Sequence, residues 1–285
     1  MNSYKDFESI IPTANLTAYP KTLTDIPYAK EVFEQLNKNN FPNNWIVDKL
    51  APEIEARVKL IDKLLKKQNI TQILELAAGY STRGLSLTEN NSNISYVELD
   101  LKAVSDRKID IIESFTQIPT NLHIISGNAL EMRDISKCKQ YFDKNRKIAV
   151  INEGLLRYLT FEEKRSVAQN IYKLLLEFGG VWITCDITTQ KFIVNQDTNL
   201  PDFNKNLTNV TDRNNANWRF KDKNHVINFM GEIGFEVEFH DFIEVKNQLT
   251  SKDKLNLSDG QIEKLIDGAI VAVMKTKQEN FVKTS

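Results

Sequence analysis

Between Ile73 and Leu85 the chain reads ILELAAGYSTRGL. An apolar run ends at Leu76, a turn of small residues follows at Ala77, Ala78 and Gly79, and a helix-like run begins near Thr82. Strand-to-helix turns of this kind hold phosphates, dinucleotides or S-adenosylmethionine (SAM), and spacing separates the three. Gly79 and Gly84 have the separation of a phosphate loop and Ser86 follows at the hydroxyl position, but Leu85 stands where that loop needs its lysine. A dinucleotide fold needs GxGxxG, and here a single early glycine, Gly79, leaves the pyrophosphate without its close backbone approach. SAM has no phosphate. It needs a small-residue turn beside its amino-acid end, an acid for its ribose hydroxyls and an anchor for its carboxylate.

The acid is present one strand downstream. In YVELD, Glu98 and Asp100 fall at the C-terminal edge of a strand, where open parallel sheets bind their ligands. Alternation points both to one side, and one of them can fork onto a ribose diol. The next strand runs into SGNAL, where Asn128, with Ala129 and Leu130, lies at the place of an adenine edge. A fourth strand ends in INEGLLRYL. Glu153 beside Gly154 at a strand end is unusual, because a carboxylate there is costly unless partnered.

Elements that would position these residues alternate along the chain. TQILELA, ISYVELD, NLHIIS, KIAVINEG and VWITCDI read as strands, with AVSDRKIDIIESF helical between the second and third. Ile54, Val58, Ile61 and Leu65 fall at helical spacing ahead of the first strand. Thr160 and Glu163 form a capping box for a helix that Gly179 and Gly180 stop. HVINFMGEIGF reads as a short helix, EVEFHDFIEV as an alternating strand, Ser258 with Gln261 as another capping box, and AIVAVMKT as a final strand. The pattern predicts an α/β fold, a mainly parallel sheet covered on both faces. Domains are expected at 1–55 (an N-terminal extension or lid rich in aromatics: Tyr4, Phe7, Tyr19, Tyr28, Phe33, Phe41 and Trp45), 56–276 (the binding domain) and 277–285 (a polar tail). Within the binding domain, the polar stretch 188–223 is expected to be an acceptor-side insertion or lid.

Composition excludes several classes. Lys and Arg number 37 and Asp and Glu 38, so no basic surplus invites nucleic acid. The two cysteines, Cys138 and Cys185, lack ligand or disulfide spacing. No Asp/Asn cluster joins Asp186 as a metal set, so no metal is expected. There is no secretory signal pattern and no apolar run of spanning length, so the expectation is a cytoplasmic chain with no membrane contact. The three histidines, His123, His225 and His240, read as packing or capping residues rather than as a general base.

LELAAGYSTRG, YVELDL, GNAL and VINEGLLRYLTFEEK, in this order, resemble the leucine carboxyl methyltransferase superfamily, and in particular its bacterial branch of polyketide-type O-methyltransferases. The resemblance covers roughly Arg57 to Asp186 and extends loosely to the final strand. It implies a class I, Rossmann-like methyltransferase fold with a seven-stranded, mostly parallel sheet, an N-terminal helical extension and a lid. It further implies SAM as cofactor, S-adenosylhomocysteine (SAH) as product and a small-molecule acceptor. Arg57 matches the arginine that holds the SAM carboxylate, Glu75, Ala77 and Gly79 the turn, Asp100 with Glu98 the ribose acids, and Glu153 the acid at the SAM amino group or methyl-transfer cleft. The chain departs from the family at Ala77, where a glycine is usual, at Ser81, where Asp is common, and at Arg157, where an apolar residue is common.

Tyr80 is a candidate cation–π partner for a sulfonium. Glu153, Arg157 and Tyr158 are the candidate catalytic residues. Arg157 or Arg219 can orient an acidic acceptor, and without a histidine base the expected acceptor is a carboxylate or an acidic hydroxyl. Two other readings stay open here: a SAM- or SAH-binding regulatory protein without turnover, and a nicotinamide-dependent oxidoreductase. The oligomeric state is left open.

Overall fold

The computed structural model describes residues 13–38, 47–187, 189–199, 211 and 216–277. The expectations for Tyr4, Phe7, Phe41 and Trp45, for most of 200–215 and for the tail beyond Lys277 lie outside the described residues. Seven strands form one sheet: β1 (Gln72–Leu76), β2 (Ser95–Asp100), β3 (Leu122–Ser126), β4 (Ile148–Asn152), β5 (Gly180–Thr184), β6 (Phe235–Asp241) and β7 (Ile270–Thr276). Their order is β3-β2-β1-β4-β5-β7-β6. The first five are parallel, and β7 enters antiparallel between β5 and β6. The order reverses between β1 and β4, the crevice where such sheets bind ligands. Leu76 pairs in register with Leu99 on one side and Asn152 on the other, so the loops after β1, β2 and β4 open together.

Alternation along each strand builds two cores. Leu74, Leu76, Val97, Leu99, Ile148 and Val150 face one way and pack with α6 (Met132–Cys138), α7 (Phe161–Phe178) and α9 (Lys223–Ile233). Ile73, Tyr96, Ala149, Ile151, Val181, Ile183, Val271 and Val273 face the other way, toward α3 (Ala51–Gln68) and α11 (Asp259–Ile266). The expected mostly parallel sheet with helices on both faces is thus present. The Thr160–Glu163 capping box forms as read from the sequence. Between β1 and β3 run α4 (Arg83–Glu89) and α5 (Lys102–Glu113).

The N-terminal segment contributes α1 (Ala18–Thr22) and α2 (Ala29–Asn37). Leu16, Ala18, Val32 and Leu36 bury against Leu50, Ile54 and Ile111. Helix α3 starts at Ala51 with Pro52 in its first turn and runs across the expected 55/56 domain boundary. Glu55, fully buried on this helix, accepts from the amides of Thr250 and Ser251 and from the Thr250 hydroxyl, all at 2.8 Å. These bonds staple the helix ahead of β1 to α10 (Ser251–Lys254), near the end of the described chain.

Three expectations need correction. The strand read in EVEFHDFIEV stops at Asp241, whose side chain forms a capping box with Glu244 and turns the chain into a 3-10 helix. Phe242 and Val245 then bury at helical rather than alternating spacing. The strand read in VWITCDI stops at Thr184, because Asp186 turns to serve a neighbouring loop. The stretch 188–223 is not uniformly polar loop: α8 (Gln190–Asn199) buries Phe192 and Ile193.

Candidate active site

The turn after β1 forms the floor of a cleft at the sheet's reversal point. Ala77 and Gly79 both take left-handed backbone angles, φ 52° and φ 50°. Gly79 does so freely, whereas Ala77 carries strain of roughly 1 kcal/mol in a position suited to glycine. Gly79 donates its amide to Asp100 Oδ2 at 2.6 Å, and Leu101 donates to Asp100 Oδ1 at 2.7 Å. Asp100 is therefore fixed by two amides at the cleft wall, each oxygen keeping acceptor capacity. Burial pushes its carboxyl above the ordinary range, against the pull of the two amides.

A buried arginine organises the deeper wall. Arg83 is 5% exposed and reaches three carboxylates: Nε to Asp62 at 2.6 Å, Nη1 to Glu75 at 2.8 Å, and Nη2 to Glu153. Tyr96 donates its hydroxyl to the other oxygen of Glu75 at 2.7 Å. Burial raises the Glu153 carboxyl, but Arg83, Arg57 and Lys21 outweigh it and hold the group below its usual value. The partner whose absence would have made Glu153 costly is Arg83, supplied from the turn region of the first motif.

The loop carrying Glu153, Arg157 and Tyr158 is clamped by Asp186. Its Oδ1 accepts from the Gly154 amide at 2.6 Å, and its Oδ2 from Leu155 at 2.7 Å, Leu156 at 2.9 Å and the Asn152 side chain at 2.6 Å. Trp182 donates to the Asn152 oxygen at 2.7 Å from inside the core. Among the described residues no His, Cys, Asp or Glu cluster could hold a metal ion, and no helix is long and apolar enough to cross a membrane.

Next to the cleft lies a mainly apolar hollow lined by Leu99, Leu101, Ala129, Leu130 and Leu155, with Asn128 at its edge. The Asn128 side-chain oxygen accepts from the Leu130 amide at 3.0 Å, and the Asn128 backbone N–H donates to Asp134 Oδ2 at 3.0 Å. Tyr80 and Tyr158 both line the cleft. Burial raises the Tyr80 hydroxyl. The Arg157 guanidinium lies 5.8 Å from the Tyr158 ring centre.

Glu98 is not brought into this gathering. It is 1% exposed, pairs with Lys108 at 2.5 Å and lies under Gly84, where an added Cβ would come within 2.5 Å of its carboxylate. Burial pushes its carboxyl up to about 7, against the pull of Lys108. Sharing a side with Asp100 did not suffice: Glu98 sits two residues deeper, beneath α4. Trp218 and Arg219 do not line the hollows; the Trp218 carbonyl instead accepts from Lys164 on α7.

Sequence reasoning missed Lys21, Glu53 and Gln196. Lys21 reaches the cleft from α1, and burial lowers its pKa to about 8. Nothing in its neighbourhood in the chain marks it. Glu53 lies one helical turn before Arg57 and accepts from its Nη2 at 2.7 Å, a spacing that could have been noticed. Gln196, 3% exposed on α8, comes from the stretch read as a polar insertion.

A family model of leucine carboxyl methyltransferase matches residues 16–172. No protein of curated function matches the chain. Among solved structures, a DUF574 family protein from Streptomyces avermitilis MA-4680 is 14% identical, with 93% of this chain and 97% of that one covered at a TM-score of 0.56. A proposed methyltransferase from Thermobifida fusca YX is 16% identical, with 93% and 94% covered and a TM-score of 0.53. PigF with SAH is 12% identical, with 97% and 71% covered and a TM-score of 0.50. At these identities the likeness is one of fold, that of class I methyltransferases.

Proposed function

The chain belongs to the leucine carboxyl methyltransferase family, and from that premise we propose that it transfers a methyl group from SAM to a carboxylate or hydroxyl oxygen of a small-molecule acceptor. As a SAM-dependent methyltransferase it must hold a zwitterionic head, a sulfonium, a ribose and an adenine. The cleft fits that list. Arg57 and Lys21 are the cations that would take the carboxylate, and the Arg57 Nε is buried without a partner. The turn at Ala77 to Gly79 has little above it, the nearest side-chain atom to an added Gly79 Cβ being Ala14 at 3.7 Å. Asp100 would take the ribose hydroxyls, and the hollow bounded by Leu101, Asn128, Ala129 and Leu130 would take the adenine. Glu75, Glu153 and Tyr80 line the stretch left for the amino end and the sulfonium.

Bound SAM supplies an electrophilic methyl group, displaced in line by the acceptor oxygen. The chain's task is then positioning and exclusion of water. Arg157 faces both the cleft and a further hollow, and is suited to orient an anionic acceptor. A carboxylate acceptor needs no base, and no histidine stands among the described residues that line the cleft. Tyr158 gives that passage an aromatic wall.

The observation that carries this reading is Asp100, fixed by the Gly79 and Leu101 amides at the sheet's reversal point in the same cleft as Arg57. Calorimetric titration with SAM, SAH and NADH tests it. Binding of the first two without the third is expected. Silence toward SAM and SAH would overturn the site, and binding without release of SAH from SAM across a panel of acids would favour a regulatory role.

A further inference from the structure

Four buried polar atoms around the cleft have no hydrogen-bond partner: Glu53 Oε2, Arg57 Nε, Arg157 Nε and Gln196 Oε1. Three of these residues, Glu53, Arg57 and Arg157, also line a third, narrow hollow beyond the cleft, which neither Lys21 nor Glu153 reaches. Its remaining wall is largely apolar, with Ile187, Phe192, Phe242, Ala269 and Ile270.

The other polar groups of that hollow are already engaged. Asp186 accepts four bonds from Asn152, Gly154, Leu155 and Leu156. Burial raises the Cys185 thiol well above its usual value and keeps it neutral. Glu53 is different. Its Oε1 is anchored by Arg57, its Oε2 has no donor, and the residue is 2% exposed. An unpaired carboxylate oxygen at such burial is expensive, and a ligand donor would relieve it. Arg157 makes no ion pair with a carboxylate among the described residues, and its contact is with the Tyr158 ring.

We propose that the acceptor is a compact acid with an apolar body and a second, proton-donating group, hydroxyl or ammonium: Arg157 takes the acid, and Glu53 Oε2 takes the donor. This rests on the SAM reading above. It makes Glu53 the residue that sets acceptor specificity, at the junction of the cleft and the narrow hollow, where Ile54 and Tyr158 face the body of the acceptor and the unpartnered Glu53 oxygen rewards the donor.

The test uses the full chain saturated with SAH and three probes of one skeleton: 3-phenylpropanoate, 3-phenyllactate and phenylalanine. Either the hydroxy or the amino acid should bind at least about ten-fold tighter than the plain acid, the value of one charge-assisted bond. The tighter of the two identifies the donor. Glu53→Gln keeps an acceptor for Arg57, and should narrow that gap to about two-fold while leaving SAH affinity within about three-fold. Arg157→Gln should weaken all three probes about ten-fold or more. Equal affinities in the parent chain, a gap that survives Glu53→Gln, or no binding of any probe up to about 20 mM overturns the proposal. A ten-fold fall in SAH affinity on Glu53→Gln also overturns it, by assigning Glu53 to the cofactor. Failure of the parent chain to bind SAH sinks the SAM reading itself, which separates the two failures.

Discussion

The wall behind the β1 turn and the hollow beneath α8 sit on either side of one cleft, yet their polar chemistry differs. Behind the turn the protein has satisfied its own groups: Arg83 meets Asp62, Glu75 and Glu153, and Asp100 meets two amides. On and beneath α8, Gln196 and then Glu53, Arg57 and Arg157 each leave a buried atom unpaired. The first region is a scaffold whose charges stabilise the fold. The second carries charges that cost stability until a ligand arrives. The same residue types therefore answer differently to substitution according to the side on which they stand.

Arg83→Gln should show the largest effect. It removes the shared partner of three carboxylates, one of them, Glu75, deeply buried, and removal of one partner from such a network costs about 3–5 kcal/mol. Urea unfolding measures it, and a loss under about 1 kcal/mol would erase the contrast between the two regions. Arg57→Ala and Asp100→Asn come next, each weakening SAH binding by about 1–3 kcal/mol in calorimetry. If both leave affinity unchanged, the cofactor assignment fails.

Lys21 sharpens the comparison through pH. With its pKa near 8 in the free chain, lowered by burial, Lys21 loses its charge as pH rises through that value. A bound carboxylate would restore the charge, so binding takes up a proton above about pH 8. SAH affinity should be full below that point and fall above it, by at most about ten-fold per pH unit. Lys21→Gln should flatten this part of the profile relative to the parent chain, and an unchanged slope would remove Lys21 from the site. Ala77→Gly should raise stability by about 1 kcal/mol by relieving the left-handed alanine, less the greater freedom of glycine when unfolded. Arg157→Gln should change unfolding stability by less than about 0.5 kcal/mol, since no carboxylate among the described residues pairs with it. A larger loss would place Arg157 with the scaffold.

Much of the fold was legible because strand alternation and helix capping are local. Asp100 ends β2, and the β1 turn, Asn128 and Glu153 belong to loops that follow a strand, and strand ends can be read in the chain. The parts that were not legible depend on distant partners. Glu98 shares the alternation of Asp100 but lies under α4 against Lys108, a burial that no short-range pattern conveys. Lys21 and Gln196 come from segments far from the strand motifs and meet the cleft only through tertiary packing. Asp186 drew notice only as a lone metal-ligand candidate, whereas its role is to hold the 154–156 backbone. The strand assigned to EVEFHDFIEV ran too long because a capping box overrode alternation.

The staple between Glu55 and the Thr250–Ser251 segment has a consequence for biosynthesis. Helix α3 and the first strands leave the ribosome before the Thr250–Ser251 donors, so at first Glu55 has only its helical neighbour Lys59 among these partners. The strand that covers the β5 edge, β7, is made later still. A nascent chain that has completed β1 to β5 therefore holds a half-satisfied acid on α3 and an open sheet edge until β7 is released. Its window of exposure to chaperones, and to pairing with other nascent chains, is set by translation of the final segment rather than by formation of the parallel core.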